Sequence, residues 1–198
     1  LDPSDYSVIS SNTVTFVGGD GIDSFGNSHV IIGDATPDSN PDTGNTINNV
    51  GQNGIRVEGG TDNWVYRNVI HTTGLGGNPT GLTGNGIYVN GSSNADIYRN
   101  TIGSNSGSIE GDGILLVGSD SSRIERNTIT NTDSNVDASG SGIQILNSDF
   151  VIIGGAGNLR NTITNTEWDG IRVANGSDDI TITNNKIDGV KRTGIYLG

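Results

Sequence analysis

The dipeptide Gly-Ile returns seven times, at Gly21-Ile22, Gly54-Ile55, Gly86-Ile87, Gly113-Ile114, Gly142-Ile143, Gly170-Ile171 and Gly194-Ile195, at intervals of 24 to 33 residues. A second marker, Asn-x-Ile, falls once between successive copies: Asn45-Thr46-Ile47, Asn68-Val69-Ile70, Asn100-Thr101-Ile102, Asn127-Thr128-Ile129, Asn161-Thr162-Ile163 and Asn185-Lys186-Ile187. Two markers kept in one phase define a repeated structural unit. Within it the stretches are short and alternate, as in Gly54-Ile55-Arg56-Val57-Glu58, where Ile and Val face one side and Arg and Glu the other. Such a strand cannot bury its inner face alone. Coils stacked at about 4.8 Å can, with Ile and Val columns forming a narrow continuous core and a rod on the order of 30 Å long.

Composition agrees. The chain has 198 residues, 32 of them Gly, with no Cys, no Met and 31% hydrophobic residues. Gly and the 25 Asn are poor helix-interior residues and argue against a helical bundle. The regular return of Ile and Val and the low charged fraction of 16% argue against disorder.

The arc from the Gly-Ile isoleucine to the next Asn-x-Ile isoleucine is constant in three consecutive coils (55 to 70, 87 to 102, 114 to 129). The coils at 22–47 and 143–163 carry extra residues, around 34–44 and around Gly154-Gly155-Ala156-Gly157. Both follow a Val-Ile-Ile-Gly segment, which predicts one loop site used twice. The arc from Asn-x-Ile to the next Gly-Ile varies more, and variable insertions of this kind usually gather on one binding face.

The pattern over 21–198 resembles the right-handed parallel β-helix superfamily, which contains pectate lyases, polygalacturonases, alginate epimerases and lyases, phage tailspikes and many bacterial surface proteins. The expected fold is all-β, a single-stranded right-handed parallel β-helix (solenoid) of about seven coils. The right hand is implied by the resemblance and agrees with the general hand of parallel β crossovers. Residues 1–20 are expected to form an irregular N-terminal coil or cap. The repeats of 21–198 are expected to be open at the C-terminal end, an edge that would pair with another copy by end-to-end stacking or with neighbouring repeats of a longer chain.

Charge and residue types narrow the partners. A formal charge of −12 is expected to exclude nucleic acid, whose phosphates it would repel. No apolar run reaches the roughly 18 residues of a membrane span, so membrane insertion is not expected. Absence of Cys removes disulfides, thiolate metal sites and a cysteine nucleophile.

Three columns carry the candidate chemistry. Asn45, Asn68, Asn100, Asn127, Asn161 and Asn185 read as an asparagine ladder whose stacked amides satisfy each other and the turn backbone. The position before it holds Arg67, Arg99, Arg126 and Arg160. Like charges about 4.8 Å apart repel, so this column needs carboxylate neighbours, such as Asp96 and Glu125, or an outside anion. In the second case it would grip the carboxylates or sulfates of an acidic polysaccharide. Tyr66 and Tyr98 stand beside it in register, with Trp64 two residues before the first, either as sugar-binding rings or as rings packed on each other.

Catalytic constellations are missing. Asn131-Thr132-Asp133, followed by Asp137, looks like the Asn-Thr-Asp of polygalacturonases, but the accompanying Gly-His-Gly and Arg-Ile-Lys segments are not in the sequence. His29 and His71 are not in the Asp-Pro-His setting of alginate epimerases. An enzyme on this fold would be a polysaccharide lyase or glycoside hydrolase, and the sequence leans against one. No cofactor is required. Residues 18–26 fit the calcium-binding nonapeptide once, which makes Asp20 and Asp23 candidate Ca²⁺ ligands. The expectation is a non-catalytic extracellular or cell-surface β-helix module, a stalk, adhesin or self-assembling fibre subunit. Its alternative is a polysaccharide-binding or polysaccharide-processing domain for acidic glycans, with the loops at 71–85, 103–112 and 130–141 walling a groove beside the Arg and Tyr columns.

Overall fold

A computed structural model describes residues 6–34, 44–74, 84–103, 109–132 and 140–198. Among them the chain forms strands and turns and no helix. Successive strands fall in turn on three sheets, each of seven parallel strands, and every third strand pairs with its predecessor. This is a parallel β-solenoid with a three-sided coil.

Both sequence markers stack in register. The Gly-Ile isoleucines pair one above the next, Ile22 with Ile55, then Ile87, Ile114, Ile143, Ile171 and Ile195, on the third sheet. The Asn-x-Ile isoleucines do the same on the second, Ile47 with Ile70, Ile102, Ile129, Ile163 and Ile187. The first sheet supplies the third inward column, Ile32, Val65, Ile97, Ile124 and Ile153. These three columns meet in one continuous core of fully or nearly fully buried aliphatic side chains, with Ile187 partly buried and Ile195 exposed at the last coil.

The glycine of Gly-Ile is required by close approach. A Cβ on Gly54 would stand 2.6 Å from the Gly86 carbonyl oxygen of the next coil and 2.6 Å from Cγ2 of Ile70. The same pair of obstacles, the next Gly-Ile carbonyl and the Asn-x-Ile isoleucine, recurs at Gly21, Gly86, Gly113, Gly142 and Gly170. The two sequence markers are therefore two sides of one contact.

Each corner of the coil carries its own polar ladder. At the corner between first and second sheets, Nδ2 of Asn45 donates to Oδ1 of Asn68 (2.9 Å), and the pattern continues through Asn100, Asn127, Asn161 and Asn185. Asn12 adds a rung on the other side, donating to Asn45 Oδ1 at 3.0 Å. Between second and third sheets a second ladder runs Asp20, Asn53, Asn85, Asp112. Between third and first sheets Ser92, Ser119, Ser148 and Ser177 accept from one another's backbone. Buried turns thus keep their polar groups paired without large side chains.

Of the first twenty residues, 6–20 are described and contribute two regular strands. Ser7–Ile9 pairs with Val30–Gly33 on the first sheet, and Thr13–Val17 with Thr46–Val50 on the second. Both insertions leave the coil at one place, after Gly33 and Gly154, each the last residue of a first-sheet strand. No helix among the described residues is long and apolar enough to cross a membrane.

Candidate functional site

The outer face of the first sheet and its corner with the second gather the aromatic and most of the arginine side chains singled out from the sequence. On the sheet, Trp64–Tyr66, Asp96–Tyr98 and Arg123–Glu125 are adjacent parallel strands with Trp64, Asp96 and Arg123 in one outward column and Tyr66, Tyr98 and Glu125 in the other. Inward Val65, Ile97 and Ile124 anchor these strands in the core. The arginines follow at the corner, immediately before the asparagine ladder.

The rings pack on one another along the stack. Tyr6 lies 4.9 Å from Trp64 at 25°, Trp64 lies 5.5 Å from Tyr66 at 17°, and Tyr66 meets Tyr98 edge to face at 5.6 Å. Of the two roles open from the sequence, the geometry is that of mutual packing, with ring faces spent on each other. His29 closes the upper end, edge-on to Tyr6 at 5.4 Å.

This wall holds charged groups in place. The Tyr66 hydroxyl donates to Asp96 Oδ2 at 3.0 Å. Burial, with Asp96 beside it, pushes the Tyr66 pKa up, so the phenol stays protonated and a donor. Burial also raises the Asp96 carboxyl, against the opposing pull of the Tyr66 bond and of Arg123. Arg123 ion-pairs with Glu125 at 2.8 Å. Tyr98 carries two guanidiniums: Arg99 lies 5.3 Å and Arg126 5.5 Å from its ring centroid. Arg126 Nη1 also donates to the Tyr98 hydroxyl at 2.6 Å. Arg67 Nη1 pairs with Asp34 Oδ2 at 3.4 Å.

Structure and sequence differ in the pairings. Glu125, expected to neutralise the arginine column, is bound by Arg123 of its own strand. Arg160 is exposed and follows the inserted residues 155–159, after which the chain is back at the corner: the Arg126 N–H donates to the Leu159 carbonyl at 3.2 Å, as the Arg99 N–H does to the Glu125 carbonyl, and Asn161 is the next ladder rung. The loops at 71–85, 103–112 and 130–141 leave the coil between second and third sheets, one sheet away from the arginines, and 75–83, 104–108 and 133–139 lie outside the described residues. Asp133 and Asp137 are among those.

The calcium candidates are engaged within the protein. Asp20 Oδ1 accepts from both the backbone N–H and Nδ2 of Asn53, as the top rung of the second ladder. Asp23 pairs with Arg56 at 3.2 Å. Among the described residues no group of three or more His, Cys, Asp or Glu could hold a metal ion.

Three participants were not legible as such: Tyr6, Asp96 as the Tyr66 partner, and Asp112. The last is a buried carboxyl that follows the amides of Asn53 and Asn85 in the second ladder, and burial holds its pKa well above the ordinary carboxylate range despite Ser141 and Arg172 nearby. The column of polar residues just before Gly-Ile (Asp20, Asn53, Asn85, Asp112, Ser141, Asp169) was its available signal.

Comparison with known proteins agrees with this architecture. No curated protein matches the chain by sequence. Among solved structures it is similar to the A-module of the mannuronan C-5 epimerase AlgE4 of Azotobacter vinelandii, with 15% identity and a TM-score of 0.63 over 98% of this chain and 56% of that module. It is also similar to an alginate lyase from Paenibacillus sp. strain FPU-7, with 14% identity and a TM-score of 0.53 over 94% of this chain and 78% of that enzyme. The chain thus spans little more than half the length of the epimerase module. The family profile described as "Right handed beta helix region" matches residues 1–198, and with its three in-register parallel sheets the chain belongs to the right-handed β-helix family.

Proposed function

We propose that the chain is an acidic-polysaccharide recognition domain, working outside the cell or at its surface, whose binding face is the outer side of the first sheet and its corner with the second. The observation that carries this reading is the bracing of Arg99 and Arg126 against Tyr98 beside Arg67, in a protein of formal charge −12. Five of the eight arginines, 67, 99, 123, 126 and 160, lie on this face and corner. A guanidinium held over a ring keeps its fork of N–H donors in a set plane, which suits a carboxylate or sulfate. Both solved structures compared above carry names of enzymes acting on mannuronan or alginate, so polyuronates are the first glycans to test.

This reading stands ahead of the stalk, adhesin or self-assembling subunit expected from the sequence, because guanidiniums held against one ring at the corner suit an anionic ligand more directly than a contact between coils. It concerns binding. Whether glycan is also cleaved or epimerised is read from the products of the same incubation.

The test is calorimetric titration of polymannuronate, polyguluronate and polygalacturonate, with a neutral β-glucan as comparison. The expected result is binding to at least one polyuronate, weakened by salt, and lost in the Arg99→Gln/Arg126→Gln double variant. Failure of the wild type to bind any polyuronate, or undiminished binding by a folded double variant, would refute the proposal.

A further inference from the structure

The three outer faces of the coil differ in chemistry. Outward positions on the first sheet include Asp96, Arg123 and Glu125, and those on the third include Asp23, Arg56 and Arg172. On the second sheet the residues either side of each inward Val or Ile, from Val14 down to Ile163, include no Asp, Glu, Lys or Arg, although the chain carries a formal charge of −12. Threonine dominates there instead. It stands on both sides of the inward residue at 13–15, 128–130 and 162–164, and on one side as Thr46 and Thr101. Val69, which has the shape of Thr without its hydroxyl, continues the line between Thr46 and Thr101. Asn48, His71 and Gly103 take the remaining places, and charge returns only at Lys186 and Asp188 in the last coil.

The outward hydroxyls are unspent. Buried threonines at the end of this sheet use theirs within the protein, Thr132 donating to the Gly140 carbonyl at 2.7 Å and Thr166 to the Asp169 carbonyl at 3.3 Å. Among the described residues, the hydroxyls of Thr13, Thr46, Thr101, Thr128 and Thr162 make no hydrogen bond within the protein, and Thr130 makes only a long one, 3.5 Å to Asn131 Oδ1. Thr13, Thr101 and Thr128 are exposed.

Pairing in register turns these side chains into a net. Thr101, Thr128 and Thr162 fall in one straight row, with Thr130 and Thr164 in a second beside it. Rows advance by one coil, about 4.8 Å, and lie two strand residues apart, about 6.6 Å. Ile102, Ile129 and Ile163 fix the strands from inside, each 0% exposed. Threonine is stiff at χ1, so the net is held in place before anything binds. Each point of it offers a methyl, which restricts the water around it, next to a hydroxyl that both donates and accepts. Oxygen rows on a prism face of hexagonal ice repeat at short and long spacings of similar size.

We propose that the outer face of the second sheet binds ice, its two threonine rows holding a water layer that continues into the crystal lattice. A charge-free, rigid and periodic face suits a surface made of water, because a charged side chain would organise water around itself and break the match. The polyuronate face lies on another sheet, and neither activity needs the other.

The experiment measures thermal hysteresis by nanolitre osmometry and partition into a slowly grown ice hemisphere, for the wild type, Thr128→Lys, Thr101→Lys and, on the outer face of the first sheet, Thr181→Lys. Lysine fits the column, since Lys186 stands in it opposite Thr162, so the variants should melt as the wild type does. The wild type and Thr181→Lys are expected to enter the ice and open a gap between melting and freezing points. Thr128→Lys and Thr101→Lys, each raising one long side chain out of the row, should lose both effects. Three results overturn the proposal: a wild type that is excluded from ice and shows no more hysteresis than serum albumin at equal concentration, full activity in both row variants, or an equal loss in Thr181→Lys. None of them touches polyuronate recognition, which the titration above decides separately.

Discussion

Replacing Asn127 with Ala removes the centre of the main ladder, and the structure sets the size of the effect. Its side chain donates to the Ile97 carbonyl (2.9 Å), the Glu125 carbonyl (3.1 Å) and Asn161 Oδ1 (3.0 Å). It accepts from the backbone N–H and Nδ2 of Asn100 at 2.9 and 3.0 Å. All five bonds are buried, and Asn127 is 1% exposed. At about 1 kcal/mol for each net hydrogen bond, and with the Asn100 donors left without an acceptor, the loss is about 4–5 kcal/mol. Asn185→Ala is the internal comparison: its rung is only partly buried, and the same bonds can exchange with water, so its cost is about 1–2 kcal/mol. Urea denaturation followed by circular dichroism measures both. Because a solenoid can open locally, amide exchange at Asn100 and Asn161 should show whether neighbouring rungs loosen together. A loss below about 1 kcal/mol for Asn127→Ala, or equal losses at the two positions, would refute the view that these amides bear the corner's stability.

Other outcomes follow from the same geometry. Gly113→Ala would force a Cβ against the Gly142 carbonyl oxygen, 2.6 Å away, and against Ile129, and is expected to cost about 3 kcal/mol or more by thermal melting. Asp112→Asn should stabilise the protein at neutral pH and leave it unchanged in acid. The folded-state pKa of Asp112 is raised by burial, so the wild type loses stability as pH climbs from the ordinary carboxyl value through that raised one, and the amide has nothing to ionise. Melting curves across pH read the difference directly, and a gap that narrows with rising pH would contradict the assignment. Tyr66→Phe removes the donor to Asp96 Oδ2 and is expected to raise the Asp96 pKa further, by NMR titration, at a cost of about 1–2 kcal/mol.

Much of the coil was legible because one contact writes itself into the sequence twice. In six of the seven Gly-Ile pairs, all but Gly194-Ile195, the glycine is small because an Asn-x-Ile isoleucine and a neighbouring carbonyl fill the space a Cβ would need, so the two markers repeat in step. Asn12 escaped the ladder because its coil reads Asn12-Thr13-Val14, and Val14 takes the isoleucine's place opposite Ile47. The arginine column was legible for the same reason as the ladder it precedes. Arg160 keeps its place before the ladder despite the inserted residues, because Leu159 returns to the position that Glu125 holds one coil earlier and its carbonyl accepts from the Arg126 N–H. Ring orientation was beyond the sequence altogether. Register puts Trp64 opposite Asp96 and Tyr66 opposite Tyr98, but side-chain torsions decide whether faces turn to solvent or to each other, and here they turn inward on the stack. The left-handed backbone of Arg67, Arg99 and Arg126 is equally silent in composition, since nothing in Arg signals it.

The central claim is that the first sheet's outer face and its corner receive an acidic glycan. The most direct measurement is a crystal structure of the protein with a uronate tetrasaccharide. The expected result is a sugar chain on that face and corner, with uronate carboxylates on Arg99 and Arg126. An oligosaccharide bound instead on the outer face of the third sheet, at the edge where the loops leave the coil, would contradict it.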